Sequence, residues 1–166
     1  KNAETVDMAI GASTNSVLHL LAIANEAGLK GKVSIDIMNE ISAKTPNLCR
    51  LAPAGEHYIE ELNEAGGISA VMKELFDNGL LDGSVKTVSG KTLAETVKNA
   101  RILDTEIIRP VSNPYSKTGG LVILKGNLAR EGSVVKKSAV DPKMYRHSGP
   151  ARCFNLSLIH ICRCRR

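Results

Sequence analysis

The sequence contains very few aromatic residues and no tryptophan. Aromatic side chains make up 3% of the chain, although hydrophobic residues as a whole make up 43%. Burial of apolar surface is the main force that drives folding, and this fraction is sufficient for a core. Because aromatic side chains are scarce, that core must be built from leucine, isoleucine, valine, alanine and methionine.

Long apolar runs are also missing. No segment approaches the roughly 20 consecutive apolar residues that a membrane-spanning helix requires. The opening residues, Lys1-Asn2-Ala3-Glu4, do not resemble a secretory signal peptide. We therefore expect no membrane association. Because the chain lacks an initiating methionine, we also expect it to begin inside a longer protein.

Positive charge exceeds negative charge, but the excess is concentrated at one end of the chain. The formal net charge is +5, and residues 156–166 contain three arginines and no acidic residue. Without those three arginines the 22 basic residues fall to 19, against 17 acidic residues. Nucleic-acid binding needs a basic surface that neutralises phosphates, and the rest of the chain has no basic cluster interleaved with aromatic residues. We therefore expect no nucleic-acid partner.

Cysteine is rare, and its spacing does not suggest disulfide bonds. Cys49 and Cys153 are far apart, and the other two cysteines lie in residues 156–166. The absence of a disulfide framework favours a reducing, cytoplasmic environment. His160 stands close to that second pair, but two cysteines one residue apart beside arginines make a poor structural zinc site. The joint change in composition and charge predicts that residues 156–166 are foreign to the domain.

Apolar residues spaced three and four apart predict a helix-rich first part of the chain. Residues 4–10 form a short apolar-periodic piece, and the predicted helices are 15–27, 35–44, 58–64, 69–77 and 92–99. The first of these helices is apolar around most of its circumference, so we expect it to be buried on more than one side, with His19 as a core histidine. Gly28 is expected to end that helix in the left-handed conformation.

Near residue 104 the pattern changes to β-branched runs and turn residues. The predicted strands are 87–89, 107–109, 121–125 and 133–140, with a turn at 130–132 before the last. The predicted fold class is α/β, and the predicted domain limits are 1–105, 106–155 and 156–166. The second unit is too short to close its own sheet, so we expect further strands beyond this chain.

The stretch from Gly11 to Asn15 is the most distinctive local feature, because a glycine and small polar residues open directly into an apolar helix. Such a loop can present N–H groups and hydroxyls to a ligand at a helix N-terminus. An ordinary helix cap has the same composition, since serine, threonine and asparagine are common caps. Local chemistry favours the cap and leaves ligand binding open.

Gly90-Lys91-Thr92 has the ending of a phosphate-binding P-loop, but Val85 occupies the position where that motif needs a glycine. Thr92 and Glu95 instead have the spacing of a capping box, which we expect to begin a short helix. No nucleophile-elbow sequence supports a hydrolase triad. Local chemistry therefore reveals no complete active site.

Beyond single motifs, whole segments match one protein family in the same order. The first is Ala9 to Leu20, which resembles a Gly-Gly-Ser-Thr-Asn helix entry except that Ala12 replaces the second glycine. The further matching segments are 41–48, 62–68, 71–75, 90–95, 108–110, 113–121, 125–129, 134–136 and 149–152. Together these segments resemble the dihydroxy-acid dehydratase and phosphogluconate dehydratase family, with coverage of essentially residues 3–152.

This resemblance implies an enzyme that removes water from a 2,3-dihydroxy carboxylic acid to give a 2-keto acid. Family members use an iron–sulfur cluster held by cysteines as a Lewis acid on the departing hydroxyl, a Mg²⁺ ion that orients the carboxylate, and a serine that removes the α-proton. Segments 113–116 and 126–129 are closer to the dihydroxy-acid branch, which serves branched-chain amino acid biosynthesis. A phosphogluconate or sugar-acid dehydratase is the alternative.

The resemblance also implies that the chain is an internal fragment of that enzyme. It would comprise the end of a helix-rich, three-layer α/β domain that binds the metals and the first strands of a β-barrel-like domain, in a cytoplasmic homodimer. The cluster and Mg²⁺ ligands and the catalytic serine are expected outside the chain, and Cys49 matches an ordinary position. We expect an inactive piece without catalytic or metal-binding residues, or a purely structural segment. The residues expected near the substrate are Gly11, Ser13, Thr14 and Asn15.

Overall fold

The computed structural model describes residues 1–29 and 31–150. These residues form six α-helices, a two-stranded antiparallel sheet and two short 3₁₀ turns, which is compatible with the predicted α/β class. The elements are α1 Asn2–Ile10, α2 Asn15–Glu26, α3 Ile35–Lys44, α4 Ile59–Glu64, α5 Gly67–Asp77, α6 Leu93–Val97, β1 Val122–Gly126 and β2 Ala129–Val135, with the 3₁₀ turns at Lys137–Ala139 and Pro142–Met144. None of the described helices has the length and apolar character that crossing a membrane requires.

The helix ends follow local signals in the sequence. The Ser34 hydroxyl accepts from the Ile37 N–H at 3.3 Å and begins α3. Thr92 and Glu95 form the predicted capping box of α6, because each side chain accepts from the backbone N–H of the other. Gly28, with φ of 69°, follows the end of α2 in the left-handed conformation, as predicted.

The β-hairpin has its turn at a different place from the predicted one. β1 and β2 leave only residues 127–128 between them, and two residues are the commonest hairpin loop length. The turn predicted at 130–132 is wrong, because these residues lie inside β2, where Gly132 adopts φ of 108° without ending the strand. The strand predicted at 133–140 ends early, at Val135.

Two other predicted strands are wrong. Residues 87–89 lie in a turn, which the Thr87 N–H closes by donating to the Lys91 carbonyl at 2.8 Å. Residues 107–109 also form no strand, although Ile108 is completely buried. An apolar run of this length indicates burial, and burial can be reached in a turn as well as in a strand.

The buried aliphatic side chains form two clusters that meet at α1. The first cluster joins α1 to α5 and α6 and contains Ala9, Leu48, Cys49, Leu62, Ala65, Ala70, Val71, Leu75, Leu81, Leu93, Val97, Ile107 and Ile108. The second joins α1, α2, α3 and β1 and contains Met8, Val17, Met38, Leu121 and Ile123. Met8 and Ala9 are neighbours in α1, so this one short helix contributes to both clusters.

α2 is less buried than its sequence predicts. Val17 and Ala24 are its buried residues, whereas Leu18 is 66% exposed and Ile23 is 63% exposed. His19 is exposed as well, so the prediction of a core histidine is wrong. The spacing of apolar residues correctly predicts that residues 15–26 form an apolar helix. The exposed face of α2 that carries Leu18 and Ile23 is not covered by any of the described elements.

The residues on the two sides of the predicted domain limit at residue 105 pack directly against each other. The Gly120 N–H donates to the Met8 carbonyl at 2.9 Å, and the Arg109 N–H donates to the Leu48 carbonyl at 2.9 Å. The limit itself stays a prediction. Residues 156–166, including the His160 cluster, lie outside the described residues.

Candidate functional site

The loop from Gly11 to Asn15 begins where other parts of the chain bind the end of α1. The last carbonyl groups of a helix have no partner within the helix. In α1, the Met8 carbonyl accepts from the Gly120 N–H, and the Ala9 carbonyl accepts from the Leu48 N–H at 2.7 Å. The start of the loop is therefore fixed by segments that are remote in sequence.

Gly11 lies in a space that only glycine fits without strain. Its φ is 61°, in the left-handed region that other residues rarely adopt. A Cβ atom there would lie 3.1 Å from Asn47 Nδ2 and 3.1 Å from Ser138 Oγ. On the opposite side, a Cβ atom on Gly120 would overlap with the Cα atom of Gly11. The loop therefore starts at a close contact between two glycines.

The rest of the loop leads directly into α2. The Ser13 hydroxyl accepts from the Asn15 N–H at 3.2 Å, and the Ser13 carbonyl accepts from the Ser16 N–H at 3.0 Å. Ser13 and Asn15 are exposed, and Thr14 is partly buried. Thr14, which directly precedes α2, makes no capping hydrogen bond through its side chain, so the side-chain contact at the start of the helix comes from Ser13. A ligand role for these side chains stays a prediction.

Asp7 lies buried behind this loop and is joined to it through Ser16. The Ser16 hydroxyl lies 2.7 Å from Asp7 Oδ2 and 2.6 Å from the Ser13 carbonyl oxygen. One hydroxyl has a single proton and cannot donate to both acceptors. Burial raises the pKa of Asp7, and Glu4 raises it further, while Ser16 and Lys136 act in the opposite direction. The Ser16 hydroxyl therefore links the Asp7 carboxyl to the loop.

A cavity of about 330 Å³ lies next to the contact between Gly11 and Gly120. Both parts of the chain contribute to its wall, because Arg50 precedes α4 whereas Lys137 and Ser138 follow β2. Gly11 lies close to this wall, because a Cβ atom on Gly11 would be 3.1 Å from Ser138 Oγ and one on Gly120 would overlap with Gly11. The other predicted residues, 13–15, are not among the residues that line the cavity.

Sequence reasoning missed the polar residues of the cavity wall. Arg50, Lys137 and Ser138 belong to no recognisable motif, and they come together only because the chain folds back on itself. The Gly119-Gly120 pair was the one available signal, since adjacent glycines often mark a close approach of the backbone. That pair now forms part of the wall.

The described residues do not fit the metal groups that the resemblance implies. They contain no group of three or more histidine, cysteine, aspartate or glutamate side chains that could hold a metal ion. Cys49 is the cysteine among them, and burial raises the pKa of its thiol to about 12. A cluster ligand must be a thiolate, so Cys49 is unsuited to that role.

Comparison with known proteins shows which protein family the chain is related to. Residues 1–96 match the model of the dihydroxy-acid/6-phosphogluconate dehydratase N-terminal region, and residues 106–160 match that of the C-terminal region. The chain belongs to this dehydratase family. The second match extends into residues 156–166, whose predicted foreign origin stays a prediction.

Three relatives of the family are each named dihydroxy-acid dehydratase. The chain is 59% identical over 154 residues to the protein from Caldicellulosiruptor saccharolyticus, 61% over 155 residues to that from Clostridium kluyveri, and 63% over 154 residues to that from Agathobacter rectalis. Each match covers 93% of this chain but only 27% or 28% of the relative. The chain therefore spans less than a third of the length of these dehydratases.

Proposed function

We propose that the chain is an internal segment of a dihydroxy-acid dehydratase, a hydro-lyase that converts a 2,3-dihydroxy carboxylic acid into a 2-keto acid and water. The observation that carries this proposal is the continuous match to relatives of that name at 59% to 63% identity. The activity would serve branched-chain amino acid biosynthesis in the cytoplasm, in a homodimer of the complete enzyme. Dehydration of 6-phosphogluconate or a sugar acid is the alternative, since the family description includes 6-phosphogluconate dehydratase.

In the complete enzyme, residues 1–105 would finish a three-layer α/β domain, and the β1–β2 hairpin would begin a β-barrel-like domain. The direct packing of Gly120 against α1 supports a close association between the two parts. A hairpin of two strands is marginally stable by itself, which supports its continuation into a larger sheet. The isolated segment would have a structural role only.

The iron–sulfur cluster and Mg²⁺ of the complete enzyme would be held by residues outside the described part of this chain. When bound, such groups supply Lewis-acid chemistry at a hydroxyl that is a poor leaving group. The donor groups described above do not fit either metal centre, so no step of the reaction is assigned to them.

We further propose that Gly11, Ser13, Thr14 and Asn15 face the substrate in the complete enzyme. Two features support this placement. The start of the loop is held by backbone contacts from remote segments, and the Ser13 and Asn15 side chains are exposed and polar. Rigid support behind exposed polar groups is what a site needs in order to orient a hydroxylated ligand.

The proposal is tested on the complete enzyme encoded by the parent gene. We expect it to dehydrate 2,3-dihydroxy-3-methylbutanoate with a higher kcat/KM than 6-phosphogluconate or a sugar acid. Asn15→Ala should raise KM for the preferred substrate, whereas Ser89→Ala, on the exposed turn before α6, should leave it unchanged. A preference for 6-phosphogluconate would select the alternative, and an unaltered KM in Asn15→Ala would refute the placement of the loop.

A further inference from the structure

We propose that the cavity lined by Arg50, Lys137 and Ser138 binds a small oxyanion, with either a carboxylate or a phosphoryl group as the recognised part. The cavity lies between residues matched by the N-terminal and C-terminal family regions. The proposal does not depend on dehydratase activity, because binding to this chain tests it directly. Four features of the cavity support it.

The first feature is the charge of the wall. Arg50 and Lys137 both line the cavity, and no aspartate or glutamate is found among its described lining residues. Neither side chain forms an ion pair within the described part of the chain. Two positive charges in one concave site, without a protein carboxylate to balance them, attract an anion from solution.

The second feature is an unused hydrogen-bonding group. Ser138 Oγ is buried and has no hydrogen-bond partner among the described residues. A buried hydroxyl without a partner costs free energy, and native structures rarely leave one unpaired. The hydroxyl lies against Gly11 and is closed to solvent in this conformation, so an oxyanion in the cavity would supply the missing acceptor once the Ser138 side chain turns towards it.

The third feature is that both cations are held in place by neighbours that leave donors available. The Lys137 ammonium donates to Thr118 Oγ1 at 2.6 Å, and an ammonium has three N–H donors. The Arg50 guanidinium lies 5.8 Å from the centre of the Tyr115 ring, within the range of a cation–π contact. Arg109 stacks on the same ring at 3.9 Å, which restricts the ring in turn.

The fourth feature is the size of the cavity. About 330 Å³ is at the lower end of the range for small-molecule sites. Gly119 and Gly120 bring the backbone close to α1 at its wall, where a Cβ atom on either glycine would collide with Ser42 or Gly11. This shape suits a small organic acid or a phosphate rather than a macromolecule.

NMR titration of the full 166-residue chain tests the assignment. Sodium phosphate and sodium acetate are added separately at constant ionic strength, with sodium chloride as the reference salt. We expect saturable shifts of the Arg50, Lys137 and Ser138 amide signals with at least one of the two anions. Saturation by phosphate alone assigns a phosphoryl group, and saturation by acetate alone assigns a carboxylate. If neither anion saturates, the proposal is overturned.

Three variants separate binding from folding. Arg50→Gln should weaken binding about tenfold or more, because it removes a charged donor. Ser138→Ala should weaken binding by about fivefold without lowering the free energy of unfolding, because the hydroxyl has no partner in the described structure to lose. Lys98→Gln, a matched loss of charge on an exposed residue outside the cavity, should leave binding unchanged. Equal weakening in Lys98→Gln, or full affinity in Ser138→Ala, would overturn the proposal.

Discussion

Gly120 and Gly126 differ in the space around their Cα atoms, although neither has a positive φ. A Cβ atom on Gly120 would overlap with backbone atoms of Gly11, whereas nothing lies within 4 Å of a Cβ atom on Gly126. Gly120→Ala should therefore lower the free energy of unfolding by about 1–3 kcal/mol, as overpacking does. Gly126→Ala should change it by less than about 0.5 kcal/mol. Urea denaturation measures both, and equal effects would contradict the close contact between the glycines.

Asp7 should make stability depend on pH in a direction opposite to that of most carboxylates. Burial raises its pKa above the ordinary value of 3.8. Its contribution to stability is then fully present below the unfolded-state pKa and is lost as the pH rises through the higher folded-state pKa. Asp7→Asn, which cannot ionise, should remove this loss between about pH 4 and neutrality in urea denaturation at a series of pH values.

Asp82→Asn is the control for Asp7→Asn, because the pKa of Asp82 is shifted in the opposite direction from that of Asp7. Hydrogen bonds from Ser84 lower the pKa of the exposed Asp82 carboxyl, so its contribution is lost as the pH falls. The two substitutions should therefore flatten different sides of the pH profile. If Asp7→Asn leaves the pH profile unchanged, the pKa of Asp7 is not raised in the folded chain.

Among the elements, α2 is the one whose exposure differs most from its composition. Leu18 is 66% exposed, whereas Leu75 on α5 is completely buried in the first cluster. Leu18→Gln should therefore change the free energy of unfolding of this chain by less than about 0.5 kcal/mol. Leu75→Ala should lower it by about 2–5 kcal/mol. A large loss of stability in Leu18→Gln would show that α2 is covered on its outer face.

The elements also show which predictions local sequence supports. Ser34, Thr92 and Gly28 mark helix ends correctly, because capping involves backbone groups within four residues of the cap. The apolar pair Ile107-Ile108 was misread as part of a strand, because an apolar run looks the same in a buried turn. The hairpin turn was misplaced because Gly132 is tolerated inside β2.

At the scale of the whole molecule, α1 joins the two hydrophobic clusters and carries the candidate loop at its end. The chain itself spans only 28% of a dihydroxy-acid dehydratase such as that of Caldicellulosiruptor saccharolyticus. We expect the purified chain to show neither iron–sulfur absorbance nor dehydration of 2,3-dihydroxy-3-methylbutanoate. The complete enzyme, assayed under identical conditions, is the positive control. Turnover by the chain alone would show that catalytic residues lie within it.

The candidate site could be predicted only in part. Gly11 and its neighbours can be proposed from the sequence because they are consecutive residues of a recognisable motif, and the Ser13 contact with Asn15 is local. Arg50 and Ser138 could not be identified, because they become neighbours only when the segment before α4 meets the turn after β2. Neither segment contains a sequence pattern that predicts this contact.

The sequence by itself determined the family, the aliphatic character of the core and the ends of most helices. Each of these depends on residue identity or on contacts within a few positions along the chain. Only the tertiary structure decided which face of α2 is buried, why the pKa of Asp7 is raised and which cavity Arg50 and Lys137 share. The exposure of a side chain, the shift of its pKa by burial and the charge of a cavity wall all depend on atoms from segments that are remote in sequence. Such atoms become neighbours only when the chain folds.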